Sequence, residues 1–202
     1  MLENTIAAIK KEGSRPSLLL HACCAPCSSY TLEYLASIFD ITVLFYNPNI
    51  SPEDEYRFRE NELLRLIEQM PLGKIDMISD RYEPQEFYDI AKGREDIPEG
   101  GARCYDCYRL RLSRTADIAR ERGFDYFTTT LSISPYKNAE WLNGIGAEEG
   151  ERAGVRYLFS DFKKKNGYKR SCELSEIYGL YRQDYCGCEF SRIAAEKRKN
   201  DK

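Results

Sequence analysis

Ser17-Leu18-Leu19-Leu20-His21-Ala22-Cys23-Cys24-Ala25-Pro26-Cys27 decides the fold of this chain. Ser17 to His21 reads as a short buried strand that ends at two adjacent cysteines. Ser28 to Phe39 then has helical character, and Ile41 to Tyr46 resumes a strand. This is a βαβ unit, whose two strands must run parallel.

The pattern continues outward from it. Asn47-Pro48-Asn49 breaks the second strand, and Ser51 is placed to cap a helix with Pro52 at its first position, running to about Gln69. Ile75 to Ser79 is a third strand, Pro84 to Ala91 a helix, and Gly93 to Gly101 a turn-rich stretch that reads as a mobile loop. Tyr105 to Arg122 has helical spacing and stops at Gly123, and Tyr126 to Leu131 is a fourth strand. A helix over Asn138 to Gly150, a strand over Val155 to Phe159 and a helix over Cys172 to Tyr181 complete the series. Such alternation predicts a single α/β domain over residues 1–202, with its core at about 17–190 and polar termini. Its sheet should be mainly parallel, Rossmann-like and flanked by helices.

In such sheets ligands bind beyond the carboxyl ends of the strands. Cys23 to Cys27, Asn47 to Asn49, Ser132 to Lys137 and Asp161 to Arg170 follow the first, second, fourth and fifth strands. One composite metal and substrate site would explain all four, although turn chemistry alone also puts Pro, Asn and Ser in these loops.

Hydrophobic residues make up 42% and charged residues 31% of the 202, the balance of a globular protein rather than a disordered one. Met1 to Pro16 is polar and lacks the apolar run of a secretory signal, and Ser17 to Cys24 is far shorter than the ~20 residues that cross a bilayer. A cytoplasmic protein with no membrane partner is expected. Eight cysteines in a reducing compartment point to metal ligation, redox catalysis or simple burial rather than a disulfide framework. A net charge of −3 gives no general attraction to nucleic acid, so any RNA contact must use local patches.

The cysteines fall into Cys23-Cys24-Ala25-Pro26-Cys27, Cys104-Tyr105-Asp106-Cys107 and Cys186-Gly187-Cys188, with Cys172 alone. Two residues between thiolates let both sulfurs face one metal, and two such pairs supply four ligands for a zinc ion or a cubane cluster. Both pairs also precede predicted helices, whose amino-terminal N–H groups stabilise thiolates. A structural Cys₄ zinc site uses the same spacing. Five cysteines in the two clusters and a third close pair exceed what zinc needs, and this favours redox chemistry. Cys24 and Cys27 alone, between a strand and a helix, also match a thioredoxin-like dithiol, which leaves Cys23, Cys104 and Cys107 without a task.

Cys186 and Cys188, one residue apart, are poorly spaced to grip one metal but can close a strained, easily reduced disulfide, and thus relay electrons. Cys172 reads as a buried small hydrophobe and His21, in an apolar strand, as a satisfied core residue. Lys163-Lys164-Lys165 with Tyr168, Lys169 and Arg170 is a basic cluster with an aromatic, suited to phosphates and bases or equally to a solvated loop. Arg103, Arg109, Arg111 and Arg114 surround the second cysteine pair.

Taken together, His21 to Cys27, Tyr46-Asn47-Pro48-Asn49-Ile50, Arg103-Cys104 with Cys107, Thr129-Thr130-Leu131, Ser134-Pro135-Tyr136-Lys137 and Tyr185-Cys186-Gly187-Cys188 resemble epoxyqueuosine reductases of the QueH type. The resemblance is ordered and covers about residues 17 to 190. It implies two-electron removal of the epoxide oxygen of epoxyqueuosine at the wobble position of tRNA, giving queuosine and water. It implies a [4Fe-4S] cluster on Cys23, Cys24, Cys104 and Cys107, and an adjacent mononuclear iron with Cys27 as its added ligand, the position being Asp in some members. The Cys186–Cys188 pair resembles the family's redox-active disulfide. Asn47, Ser134, Lys137 and Lys163 to Lys165 are the expected substrate contacts. No Gly-rich dinucleotide fingerprint follows a strand, in keeping with an external electron donor. A zinc-stabilised RNA-binding module and a thiol oxidoreductase acting on proteins are the rival readings, separable by metal content.

Overall fold

A computed structural model describes residues 2–200. Five strands, β1 (Ser17–Ala22), β2 (Asp40–Phe45), β3 (Asp76–Ser79), β4 (Tyr126–Thr129) and β5 (Arg156–Tyr157), form one sheet in the order β3-β2-β1-β4-β5. Every neighbouring pair is parallel. The helices are α1 (Leu2–Glu12), α2 (Ala25–Leu35), α3 (Glu53–Gln69), α4 (Pro84–Ala91), α5 (Ala102–Glu121), α6 (Ala139–Ala153), α7 (Gly167–Ile177) and α8 (Glu189–Asn200), with a 3₁₀ turn at Thr130–Ile133.

β1 lies at the centre because it can be buried on both faces. Leu18 and Leu20 pack on one side with Leu32, Phe39, Val43, Phe45, Leu63 and Leu66, whereas Leu19 packs on the other with Leu44, Leu112, Ala116, Phe127, Leu142 and Ile145. Leu18, Leu19 and Leu20 are fully enclosed, each contributing about 1.5–3 kcal/mol of burial. Thus α1, α2 and α3 cover one face and α5 and α6 the other. Gly146 lets α6 close on β5, since a Cβ there would stand 2.3 Å from the Tyr157 ring.

From β1 the chain moves to β2 and β3 on one side, then returns to place β4 on the other. The carboxyl ends of β1 and β4 therefore flank the reversal of strand order, where open parallel sheets leave a crevice.

Several boundaries differ from the sequence-based expectation. α2 starts at Ala25 with Cys24 as its N-cap, and α5 starts at Ala102 after Gly101, so Cys104 and Cys107 lie inside a helix rather than ahead of one. Pro52 is the N-cap of α3, joined to Ser51 by a cis bond, and not its first helical residue. β5 is only two residues long, and α7 begins at Gly167 and ends before Gly179, whose φ is +57°. The polar termini carry α1, anchored by Ile6 and Ile9, and α8, anchored by Ser191 and Ala195. Arg103 ties down the turn-rich stretch before α5, donating to the carbonyls of Arg94 at 2.8 Å and Glu95 at 2.7 Å. Among the described residues no helix is long and apolar enough to cross a membrane.

Candidate metal and substrate site

At the end of β1 the backbone turns directly into α2, and this brings three sulfurs together. The Sγ atoms of Cys23, Cys24 and Cys27 all lie within 4.8 Å of one another, a group able to hold a metal ion. Cys23 and Cys24 sulfurs are 3.7 Å apart. Small buried residues, Ala25, Ser28 and Ser29, seat the first turn, and the Ser28 hydroxyl donates to the Cys24 carbonyl at 2.8 Å. Thiol protons from Cys23 and then Cys27 point at Cys24, so Cys24 ionises far more readily than a free thiol, while Cys27 is pushed the other way.

Cys104 and Cys107, one turn apart on α5, are both buried. The Gly100 N–H donates to Cys104 Sγ at 3.3 Å. Burial raises the Cys107 thiol to about 12. Cys104 belongs to the same apolar cluster against which Cys23 packs.

The third group closes the site. Cys186 Sγ accepts from Lys137 Nζ at 3.1 Å, and Lys137 also pairs with Glu99 at 3.0 Å. Cys188 is buried with Cys107, Phe87 and Ala91, its Sγ 3.4 Å from Ser191 Oγ. Gly187 between them has φ +116°, and a Cβ would meet Arg59 Nη1 at 3.0 Å, so only glycine fits the turn. Its carbonyl accepts from the Ser51 N–H at 3.0 Å, and the Cys186 carbonyl accepts from Arg59 at 3.2 Å. All eight cysteines are free thiols.

The first group and Cys186 border a cavity of about 800 Å³, lined among others by Cys23, Cys24, Cys27, Arg59, Glu99, Arg111, Ser134, Tyr136, Lys137, Arg182, Tyr185 and Cys186. Its size suits a small-molecule or nucleoside ligand. A second, small pocket of about 10 Å³ is lined by Asn49, Cys104, Cys107, Cys188 and Ser191, and shares Glu99, Arg111 and Cys186 with the first.

The site residues expected from the sequence are not all in one place. Ser134 and Lys137 line the cavity, but Lys137 is buried in ion-pair contact and not offered at the surface. Asn47 donates to the Ala22 carbonyl at 2.9 Å and so braces the end of β1 from behind. Lys163 and Lys164 pair with Asp161, and Lys165 with Glu3, away from the cavity lining. His21 is fully enclosed, its ring between Thr129 Oγ1 at 2.8 Å and the Tyr46 carbonyl at 3.1 Å, and burial lowers its pKa to about 4. It is a neutral core residue.

Two buried arginines complete the site, Arg111, which the sequence offered only as one of four around the second cysteine pair, and Arg59, which it did not offer at all. Arg59 lies on the buried face of α3 with Tyr56, Leu63 and Leu66, where a charge is out of place. Arg111 follows Cys107 by one turn on the same face of α5, and this register was the available signal. Its Nε donates to the Cys107 carbonyl at 3.2 Å, while its Nη2 is buried without a partner. Burial opposes its charge, and the sulfurs of Cys107, Cys186 and Cys23 face it, favouring that charge once they are thiolates. A buried guanidinium facing sulfurs instead of a carboxylate is costly unless an anionic group sits beside it. Soft thiolate donors around an orphaned cation fit a thiolate-held metal centre.

The profile of the Epoxyqueuosine reductase QueH family matches residues 18–194. An epoxyqueuosine reductase QueH of Streptococcus pyogenes serotype M1 is 46% identical over 185 residues, spanning 90% of this chain and 72% of its own length. That of Staphylococcus epidermidis is 42% identical over 198 residues, spanning 96% and 83%. That of Thermotoga maritima is 36% identical over 185 residues, spanning 90% and 93%. Among solved structures, a predicted subunit of a tRNA methyltransferase from Methanocaldococcus jannaschii aligns with TM-score 0.50 and 14% identity over 79% of this chain and 74% of that one, a likeness of fold alone. The matched stretch contains both cysteine pairs, the two buried arginines and the Cys186-Gly187-Cys188 turn, and the chain belongs to the epoxyqueuosine reductase QueH family.

Proposed function

We propose that the protein reduces epoxyqueuosine to queuosine in the anticodon of tRNA, on an iron–sulfur centre. The observation that carries the proposal is a nucleoside-sized cavity at the reversal of strand order lined by Cys23, Cys24, Cys27, Cys186 and two buried arginines, with Cys104 and Cys107 on the small pocket that shares Arg111 and Cys186 with it. Cys23, Cys24, Cys104 and Cys107 would hold a [4Fe-4S] cluster, and Cys27 an adjacent iron. Bound there, these groups supply single electrons and Lewis acidity toward the epoxide oxygen.

The chain's own residues do the rest. Ser134 and the cavity wall orient the nucleoside, and Asn47 keeps the Cys23 turn in register by holding the Ala22 carbonyl. Lys137 Nζ, pinned between Glu99 and Cys186, holds a proton at the wall and can give it to the departing oxygen. The reaction consumes two electrons and two protons per epoxide, yielding an alkene and water. Cys186 and Cys188, oxidised from dithiol to disulfide, release two electrons and two protons, and an external donor restores them. The turn at Gly187 is the pivot on which Cys188 would leave its pocket beside Ser191 to meet Cys186. Lys163, Lys164 and Lys165 would make outer phosphate contacts once released from Asp161 and Glu3.

Anaerobically reconstituted protein, given a reductant and tRNA carrying epoxyqueuosine, should produce a nucleoside lighter by one oxygen over many turnovers, read by mass spectrometry. Cys188→Ser should match wild type in cluster content and tRNA affinity but fail in multiple turnover. No conversion by the loaded wild type contradicts the function, and equal steady-state rates remove the dithiol relay.

A further inference from the structure

We propose that the mouth of the cavity is a docking rim for the single-stranded nucleotides flanking the modified one, with Tyr136 as a stacking platform and Arg182, Arg198 and Lys199 as phosphate contacts. The inference rests on the reductase reading and adds to it the surface that takes the RNA. Charge is the first observation. The chain carries a net charge of −3, yet the cavity lining has six basic residues, Arg59, Arg111, Lys137, Arg182, Arg198 and Lys199, against two acidic ones, Glu99 and Asp184. A local positive field in an acidic protein concentrates a polyanion at that one place.

Aromatic residues are the second. Tyr136 is 77% exposed, the most open large apolar side chain among the described residues, and it stands on the lining between Pro135 and the buried Lys137. Its neighbour on one side is thus fixed while its ring faces solvent. Tyr168, 37% exposed on the same lining, has the Arg182 guanidinium 5.5 Å over its ring and bonded to its hydroxyl at 3.3 Å. Rings interleaved with cations are the combination that single-stranded nucleic acid requires: bases stack on the rings and phosphates meet the cations.

Arg198 and Lys199 come from the last turn of α8, where basic residues also complement the helix dipole. That explains their presence on the helix but not their position on the cavity. Lys199 pairs with Asp184 at 2.6 Å, as Lys137 pairs with Glu99, so both acidic residues of the lining are already matched and the remaining cations are in excess. Of these, Arg59 is paired with Glu55 at 2.7 Å and bonded to the Cys186 carbonyl, Arg111 is bonded to the Cys107 carbonyl, and Arg182 and Arg198 are left at the mouth. A protein electron donor with an acidic surface would also meet the cations but would have no need of the open ring beside them.

The test uses the full chain and an anticodon stem–loop RNA, with binding read by anisotropy across a salt series. Wild type should bind. Tyr136→Ala should weaken binding by about five-fold or more with an unchanged salt slope, as loss of one stacked base does. Arg198→Gln should instead lower the slope of log affinity against log salt by roughly 0.7, as loss of one phosphate contact on a single strand does. An abasic site beside the wobble nucleotide should erase the difference between wild type and Tyr136→Ala, because the ring then has nothing to stack on. Both side chains are exposed, so unchanged thermal melting checks that neither variant disturbs the fold. If wild type binds and both variants bind equally well with the same slope, the rim is refuted and the reductase reading stands. If wild type does not bind the RNA, that reading falls with it. If the variants bind RNA normally but slow reduction by a protein donor, the rim serves the donor and the RNA proposal is overturned.

Discussion

Arg111→Met separates a thiolate-held metal centre from an ordinary buried cysteine cluster. Arg111 is 1% exposed, its Nη2 has no partner, and the ionisable groups that face it are chiefly sulfurs. In the metal-loaded protein the substitution strips the counter-cation from a buried anionic centre, which costs about 3–5 kcal/mol. In the metal-free protein Cys107, with its pKa near 12, is a neutral thiol at pH 7, and the same substitution removes a buried charge that has little to pair with. There the effect should be neutral or stabilising by about 1–4 kcal/mol, Met filling most of the space of the aliphatic stem. For a domain of this size the loaded variant should therefore melt roughly 6–20 °C below loaded wild type, while the metal-free variant melts at or above its own reference. Thermal melts of both proteins, anaerobically reconstituted and chelator-stripped, give the four values needed. A fall of the same size in both states would show that Arg111 only packs, and would refute the argument that an anion belongs beside it.

Cys104→Ala or Cys107→Ala should each lose the brown chromophore and the acid-labile sulfide, since an iron left with three thiolates is exposed, and retained colour with full stoichiometry in both would sink that ligand assignment. Cys27→Ala should keep the cluster spectrum but lose the additional iron and most turnover, whereas loss of the whole cluster would make Cys27 one of its ligands. Gly187→Ala should slow turnover and lower stability by about 1–3 kcal/mol, because φ is +116° there and a Cβ would press on Arg59, and wild-type melting and rate would show the turn to be free to move. Neutralising Lys163, Lys164 and Lys165 together should lower the salt slope for tRNA binding, and an unchanged slope would mark the run as a solvated loop held by Asp161 and Glu3.

What the sequence disclosed and what it withheld follow from the range of the interactions. The β1 run and its partner β2 were legible because Leu18, Leu19 and Leu20 leave no polar face, and only a strand between two helical layers buries both sides. The Cys-x-x-Cys spacings were legible because ligand geometry is local. The secondary structure under the second pair was not: Gly101 starts α5 early and makes Cys104 and Cys107 neighbours by helical turn. α1 and α8 escaped notice because each anchors through only two buried residues in an otherwise polar sequence. Lys137 was expected only as a substrate contact, and its burial against Cys186 and Glu99 depends on residues 49 positions after it and 38 before it, which no local pattern encodes. The Lys163 to Lys165 run looked free because its partners Asp161 and Glu3 are respectively too close and too distant in sequence to stand out as a carboxylate face.

Metal and sulfide content of protein purified without oxygen tests the central claim most directly. Acid-labile sulfide with iron slightly in excess of it, as a [4Fe-4S] cluster with one additional iron requires, and the sulfide lost from Cys107→Ala, is the predicted result. Zinc as the sole metal, with no sulfide and unchanged stability after its exchange for iron, would contradict the account and make the cysteines a structural site.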